Sequence, residues 1–510
     1  MGSHRGSERM NSQETFNKNL EEHHKQKNQN IEKQQPKQEQ PIQEIETGWE
    51  ALQIEIARLI LQKQKAEATE RITRVFKKNN YIYTTRDDEN SEIWIYKEGI
   101  YVPQGKTFIK EFTRTILGEA YTTHFCNQII AKIEADTYID QEEFFNNIIK
   151  DEICCENGII NLENRTISPF DPNKIFFTKI PVKYEPTAVC PNIETHFKTV
   201  LKKETDSEVM FELFGFLLYK DYFLEKGVMF IGDGRNGKGK TIDLMKRFIG
   251  VDNCSSVPLQ QFETDNFAAG ELFNKLANLA GDLDDKALAH TGMFKTLTGR
   301  DLIAAPRKFL TRVKFVNFAK LVFACNKLPR TRDTTTAFWN RWVLFEFPYT
   351  FLGEEEYNNL KIDERKKCKL KDPNIIDKLA SPQELSGLLN RALDGLQRLL
   401  KNKDFSHSQG VKGIKDLWIR KSDSFLAYCL DHIEEADEVR IEKKILRLAY
   451  MKYCKKHKVK PLSDKVTRET LFENYAISEE RDETGRYWEG IAFSDGRINE
   501  DLKGVKSVPK

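Results

Sequence analysis

The spacing of apolar positions changes character repeatedly along the chain. Over 49–76, Ile54, Ile56, Leu59, Ile60, Leu61, Ile72 and Val75 recur at helical intervals, which predicts helix. Ile93-Trp94-Ile95-Tyr96, a Lys-Glu-Gly turn and Ile100-Tyr101-Val102 then predict a hairpin. Helical patterning resumes to about position 149. A strand-rich patch over 158–184 follows, closed by Pro186 and Pro191, and 192–224 reads as helix again. Between 228 and 350 the pattern becomes one of short, wholly apolar runs, at 228–231, 276–280, 320–325 and 342–347. Runs apolar on both faces, joined by longer crossovers, suit a mostly parallel sheet covered on both sides. A leucine stripe from Leu379 to Leu400 predicts one or two helices over 374–402. The last hundred residues predict helices over 424–433, 441–457 and 464–475, then two strands around 482–486. That order suggests a winged-helix module. The chain shows no internal repeat.

Composition adjusts this picture at the ends. Residues 1–46 are rich in Gln, Asn, Glu and Lys, with Phe16 the only aromatic, and are expected to form a disordered tail or linker. Its opening Met-Gly-Ser-His resembles an expression scar, with Met10 a candidate native start. The expected division is therefore 1–46 as tail, 47–200 as a mixed, mostly helical N-terminal domain, 201–405 as an α/β core, and 406–510 as the winged-helix-like end. Formal net charge is +2 on 80 basic and 78 acidic residues, so nucleic-acid contact requires a local patch. No apolar run is long enough to span a bilayer and no signal peptide is evident, so a soluble intracellular protein is expected, with no membrane partner. The 9 cysteines lie singly except for Cys154-Cys155, with no C-x-x-C pair, and read as buried apolar thiols rather than as a metal site with His124.

The candidate chemistry begins at 228–241, where an apolar run breaks into Gly-Asp-Gly-Arg-Asn-Gly-Lys-Gly-Lys-Thr. A strand, a glycine-rich loop and a helix form a triphosphate cradle: backbone N–H groups face the phosphates and a lysine neutralises them. Two registers overlap. One runs from Gly232 to Gly237-Lys238 but has Gly239 where a hydroxyl would hold Mg²⁺; the other runs from Gly234 to Gly239-Lys240-Thr241 and fits in full. Downstream, the 276–280 run ends in Asp282-Leu-Asp284-Asp285, carboxylates suited to a Mg²⁺ shell and to polarising a water. Asn326 ends the next apolar run and could orient that water; by itself it better suits an ordinary strand exit. Arg341, among the aromatics of Phe338-Trp-Asn-Arg-Trp, is a candidate finger for a neighbouring subunit's nucleotide.

Taken in order, the Asn-Gly-Lys phosphate loop, the acidic strand end, Phe-Ala-Cys-Asn-Lys-Leu-Pro and Trp-Asn-Arg-Trp resemble the superfamily-3 helicase domain of phage, plasmid and poxvirus-type primase-helicases. Asn157-Gly-Ile-Ile-Asn-Leu, Pro181-Val-Lys-Tyr-Glu-Pro and Cys190-Pro191 are similar to the domain that precedes it, and the resemblance covers about 80–500. The resemblance implies an AAA+-like ATPase core assembled as a hexameric ring. Such a ring would use ATP and Mg²⁺ to translocate on single-stranded DNA during replication of a phage, plasmid or other mobile element, in the host cytoplasm. It assigns Lys238 as the phosphate-loop lysine within a nucleotide-binding set of Gly232, Gly234, Asn236, Gly237, Gly239, Lys240 and Thr241. It places Asp282 and Asp284 on the acidic motif, with Thr241 and Asp282 toward the metal. Asn326 falls on the sensor and Arg341 on the arginine finger. Arg307 and Lys308 fall before a DNA-gripping hairpin, with Arg312 and Lys314 secondary. Gly239 and Pro306 depart from the family pattern, and Mg²⁺ is left to Thr241 or to water.

The implied partners are single-stranded and forked DNA, further copies of the chain, and a primase or polymerase. No catalytic primase half is present in the sequence. The alternative is an ATP-binding initiator or primase-associated assembly module without processive unwinding. The basic run of Lys452, Lys455, Lys456, Lys458 and Lys460 reads first as a solvated face, and only second as a contact for duplex DNA.

Overall fold

Five strands, apolar along nearly their whole length, organise the centre of the molecule: β1 (Gly227–Ile231), β2 (Cys254–Ser255), β3 (Ala277–Ala280), β4 (Lys320–Cys325) and β5 (Trp342–Glu346). The computed structural model describes residues 46–494 and 508–509, apart from positions 88, 282, 284–286, 289, 309, 334, 407–409 and 458. The strands lie in the order β5-β1-β4-β3-β2, and every pairing is parallel. All residues of β1 and β4 are buried, as a sheet covered on both faces requires. The four apolar runs of the sequence are β1, β3, β4 and β5. The two-residue edge strand β2 carries too little pattern to be read from the sequence.

Two helices of this part of the chain pack on each other at a distance set by glycine. The helices Asp206–Leu218 and Pro382–Asn402 cross where a Cβ on Gly215 would meet the Ala392 carbonyl at 2.2 Å, and one on Gly395 would meet the Phe211 carbonyl at 2.6 Å. Any larger residue there would force the helices apart. The fully buried Glu212 carboxylate is held by the Arg398 guanidinium at 3.0 Å and by the Ser406 amide at 2.8 Å. Burial without those partners would be costly.

By internal contacts the chain divides into two units, and the sheet belongs to the larger. The smaller lies within Met1–Thr84, Glu92–Ile95 and Pro103–Tyr138. It holds the helices Glu46–Leu61, Lys65–Asn79, Gly105–Leu117 and Thr123–Thr137 around Ile72, Phe76, Ile109, Ile129 and Ile133. The helical pattern of 49–76 is interrupted at Lys63, whose φ of 63° no helix tolerates. In the larger unit, Glu152–Cys155, Gly158–Asn161 and Ile167–Ser168 form a small antiparallel sheet. The strand expected over 177–184 is reduced to a bridge of Lys179 with Cys154, because Pro181 has no N–H for a ladder.

The carboxy-terminal module alternates helix and sheet. Helices Val411–Ser422, Ser424–His432, Lys443–His457 and Asp464–Asn474 pack with strands Ile433–Glu442, Ser478–Arg481 and Arg486–Phe493. Phe425, Tyr428, Tyr450, Trp488 and Ile491 fill its core. Ile433–Glu442 was not foreseen as a strand: it is acidic rather than alternating, and pairing with Arg486–Phe493 imposes the extended form. Among the described residues no helix is long and apolar enough to cross a membrane.

One buried cation makes stability depend on pH. Lys320, which opens β4, is 1% exposed. Its ammonium bonds the carbonyls of Tyr219 at 2.5 Å and Phe318 at 2.7 Å. Burial pushes its pKa down to about 7. From there up to the ordinary lysine value of 10.5, the unfolded chain binds the proton that the folded chain has released. This group's contribution therefore rises with pH through that window. Melting curves between pH 6.5 and 9.5 should show Lys320→Met gaining less stability with pH than the unaltered chain. Parallel curves would contradict the assignment.

Candidate active site

The end of β1 turns into the glycine loop because three positions there have steric requirements. A Cβ on Gly232 would lie 2.2 Å from Asn236 Nδ2 and 2.3 Å from the Phe347 carbonyl. Gly237 sits at φ +95°, in the left-handed region, and opens the helix Lys238–Ile249. Asn236 is 3% exposed; its Nδ2 donates to the Phe347 carbonyl at 3.2 Å, and its Oδ1 accepts from the Lys238 amide at 3.4 Å. The loop is thus shaped by its own side-chain amide. Arg235 braces the outside through Glu356 at 2.7 Å.

Lys238 is buried, and its ammonium donates to four acceptors. These are the carbonyls of Gly232 and Asp233, Asn236 Oδ1 at 3.2 Å and Asn326 Oδ1 at 3.1 Å. The last bond joins residues 88 positions apart, because β4 lies beside β1 with Cys325 opposite Ile231. Lys240 instead points outward and pairs with Asp243 at 3.8 Å. Thr241 is fully buried, and its hydroxyl donates to the Gly237 carbonyl at 3.1 Å. A Cβ on either Gly234 or Gly239 would meet nothing within 4 Å.

Asp282 and Asp284 lie outside the described residues. The residue between them, Leu283, donates its amide to the Ala324 carbonyl at 2.9 Å, extending the β3–β4 pairing beside Asn326. Preceding them, a Cβ on Gly281 would lie 4.0 Å from the Ile242 side chain of the loop helix.

Arg341 is placed elsewhere. Its carbonyl accepts from the Gly227 amide at 2.7 Å, at the start of β1, whereas the loop leaves the end of that strand. At ~3.3 Å per residue this is roughly 15 Å from the loop. Its guanidinium bonds Thr298 Oγ1 at 3.1 Å, the Ala337 carbonyl at 2.8 Å and Glu225 at 2.9 Å.

Arg307 and Lys308 sit at the tip of an antiparallel hairpin of Leu302–Arg307 with Leu310–Val316. The register shifts between Ala305 and Arg307, at Pro306, which cannot donate to the ladder. The Arg307 guanidinium lies over Phe273 at 5.3 Å and Phe145 at 5.8 Å, while Lys308 is exposed. Arg312 and Lys314 share the exposed face of the second strand, and Lys314 meets Glu142 at 3.3 Å.

A cavity of about 680 Å³ opens over the loop. Gly232, Asp233, Asn236 and Asn326 line it, and these are the four residues that hold the Lys238 ammonium. Around them stand Lys202, Lys327, Lys367, Arg420, Lys421 and Lys460 against Asp233 and Glu346, with Pro348 and Tyr349 as apolar wall. That is an anion pocket with a flat aromatic side. Sequence reasoning passed over most of this lining. Lys327 adjoins Asn326 and could have been suspected, but nothing local marks Lys202, Lys367 or Lys421.

Two family models match the chain. One, described as D5 N terminal like, covers residues 43–203. The other, described as a family of unknown function (DUF5906), covers 230–341 and so spans the loop, Asn326 and Arg341. The chain is 24% identical over 349 residues to protein V13 of Sputnik virophage, covering 66% of this chain and 44% of that protein. It is 24% identical over 257 residues to protein 184R of Invertebrate iridescent virus 6, covering 45% of this chain and 25% of that one. Both are helicases by provisional name. The chain is a relative of the primase-helicase-type superfamily-3 helicases. It spans less than half the length of the curated relatives it matches. The apo A form of the NrS-1 C-terminal region aligns with 82% of this chain and 97% of its own, at 12% identity and a TM-score of 0.43.

The loop's two kinds of glycine should separate in mutants. Gly232→Ala drives a methyl into Asn236 and the Phe347 carbonyl and should cost about 1–3 kcal/mol in urea unfolding. Gly239→Ser enters open space and should change stability by less than ~0.5 kcal/mol. Equal effects would refute the packing described.

Proposed function

We propose that the chain is an ATP-dependent DNA helicase. In this reading a hexameric AAA+-like ring hydrolyses ATP between subunits and translocates on single-stranded DNA during replication of a mobile element. One observation carries the reading: the Lys238 ammonium and the Asn326 amide meet at 3.1 Å on neighbouring strand ends, beneath a cation-rich cavity. Ligands of open α/β sheets sit at the carboxyl ends of the strands, and a lysine and an asparagine there suit a γ-phosphate and the water that attacks it. The provisional helicase names of the viral relatives support the same reading.

Each side chain then has a role. Lys238 neutralises the β- and γ-phosphate oxygens, loop amides and the helix N-terminus orient the phosphates, and Asn326 positions the attacking water. Mg²⁺ supplies charge neutralisation on the phosphates when bound. Thr241 and Asp282 would hold it, an all-oxygen donor set of the kind Mg²⁺ prefers, with Asp284 polarising the water. Arg341 stands too far from its own loop to touch the same nucleotide, so its place is across a subunit interface. The hairpin tip, with Arg307 and Lys308, offers cations to the DNA backbone. Residues 201–405 form the ATPase part, and 406–510 a winged-helix part whose helix–strand–helix–helix–hairpin order supports that assignment.

Lys238→Ala should abolish both DNA-stimulated ATP hydrolysis and displacement of a strand from a forked duplex. Unwinding by that variant would overturn the proposal. DNA-stimulated hydrolysis by the unaltered chain without displacement would favour the assembly-module reading. Arg341→Ala should retain ATP binding and lose turnover. Mixing it with Lys238→Ala should restore part of the turnover, since some interfaces then pair an intact Lys238 with an intact Arg341. No recovery on mixing would remove Arg341 from the interface.

A further inference from the structure

The cavity over the phosphate loop has a second wall that the loop motif does not account for. Arg420, Lys421, Ser422 and Ser424 line it from the carboxy-terminal module, as does Lys460 beyond the helix Lys443–His457. The cations of the lining fall into two groups. Lys202 is held by Glu346 at 2.6 Å, and Arg420 by Asp416 at 3.0 Å and Asp431 at 2.8 Å. Lys327, Lys367, Lys421 and Lys460 line the cavity with no carboxylate partner among the described residues. Two of those four belong to the carboxy-terminal module. Like charges gathered around one concavity repel unless an anion joins them, so their arrangement favours a polyanion.

The wall is also fixed to the catalytic strand. Four residues from Asn326 to Pro329 lead out of β4, and the Pro329 carbonyl accepts from Trp418 Nε1 at 2.8 Å. Trp418 is fully buried, packs on Trp342 at 5.1 Å, and precedes Lys421 on the same helix. Next along the chain, Arg330 meets Asp423 at 3.6 Å. Asp423 in turn caps the helix Ser424–His432, accepting from the amides of Phe425 and Leu426. The lysines thus project from a module held at two points to the segment that follows Asn326.

We propose that Lys421 and Lys460 bind the polyphosphate of the nucleoside triphosphate from the side opposite the loop. The carboxy-terminal module is then part of its own subunit's nucleotide site and senses its occupancy. This rests on the reading of the cavity as a nucleotide site, and the test keeps the two apart.

A fluorescent methylanthraniloyl-ATP is titrated into the full chain without DNA. Lys421→Ala and Lys460→Ala should each weaken binding by about threefold to tenfold, and the pair by more. Lys421→Arg should restore affinity, because charge and not shape is required. Lys415→Ala, on the same helix outside the cavity, should have no effect. In amide exchange, a slowly hydrolysed ATP analogue should slow the helix Val411–Ser422. Should Lys238→Ala impair binding while the Lys421/Lys460 double variant stays within about twofold, the second wall is disproved. Loss of single-stranded DNA binding by that double variant, with ATP affinity intact, would disprove it too and reassign the lysines to nucleic acid. Unimpaired ATP binding by Lys238→Ala would instead defeat the underlying nucleotide reading.

Discussion

Ile231 lies opposite Cys325, and that single pairing decides where every polar group of the site can stand. Both strands are buried throughout, so a slip by one residue would force every side chain into the differently shaped packing of the opposite buried face. With the register held, the first residues past the two strand ends, Gly232 and Asn326, emerge side by side. Lys238, the first residue of the helix after the loop, then reaches both. The Lys238–Asn326 bond follows from the sheet rather than contributing to it. The same end of the sheet releases the segment that runs to Pro329 and the carboxy-terminal module.

A second consequence concerns reorganisation. Phosphate-binding loops often depend on the ligand for their shape, but here Asn236 spans the loop and fastens it to the Phe347 carbonyl. Donors already held in position strengthen binding by limiting the ordering that association would demand. At the opposite end of β1 the arrangement is of another kind. Arg341 makes three bonds within its own subunit, including one to Glu225, whose side chain is half-exposed. An arginine so placed can exchange an exposed carboxylate for a phosphate without losing its other two anchors.

What the sequence makes legible follows from how local each signal is. The four long buried strands and the helix after the loop are written in continuous apolar runs, and the side-by-side position of Lys238 and Asn326 follows once those runs are taken as parallel. Spacing alone fits Lys238 and Lys240 alike; the Asn-Gly-Lys order of the resemblance selects Lys238, whose ammonium lies against the loop while Lys240 points outward. The hairpin of 302–316 was approached through resemblance alone, because Pro306 disrupts its alternation. Ile433–Glu442 was missed because its strand character comes from its partner rather than its own residues. The cationic lining of the cavity was hidden for the same reason. Lys202, Lys367 and Lys421 are ordinary surface lysines in sequence, and only the fold gathers them. The helices over 374–402 show the reverse case, for their leucine stripe is a local signal and the structure follows it.

The stretch between Asn326 and Pro329 behaves as a ruler. It is fixed at one end by a bond to the Lys238 ammonium and at the other by an indole that the core has swallowed completely. Surface loops ordinarily absorb added or deleted residues with little penalty, but a connection pinned at both ends has no slack. Insertions that the neighbouring turns of this protein could accommodate would here detach either the asparagine from the loop or the tryptophan from its carbonyl. Length, more than residue identity, is the property that this short segment must preserve as the chain diverges.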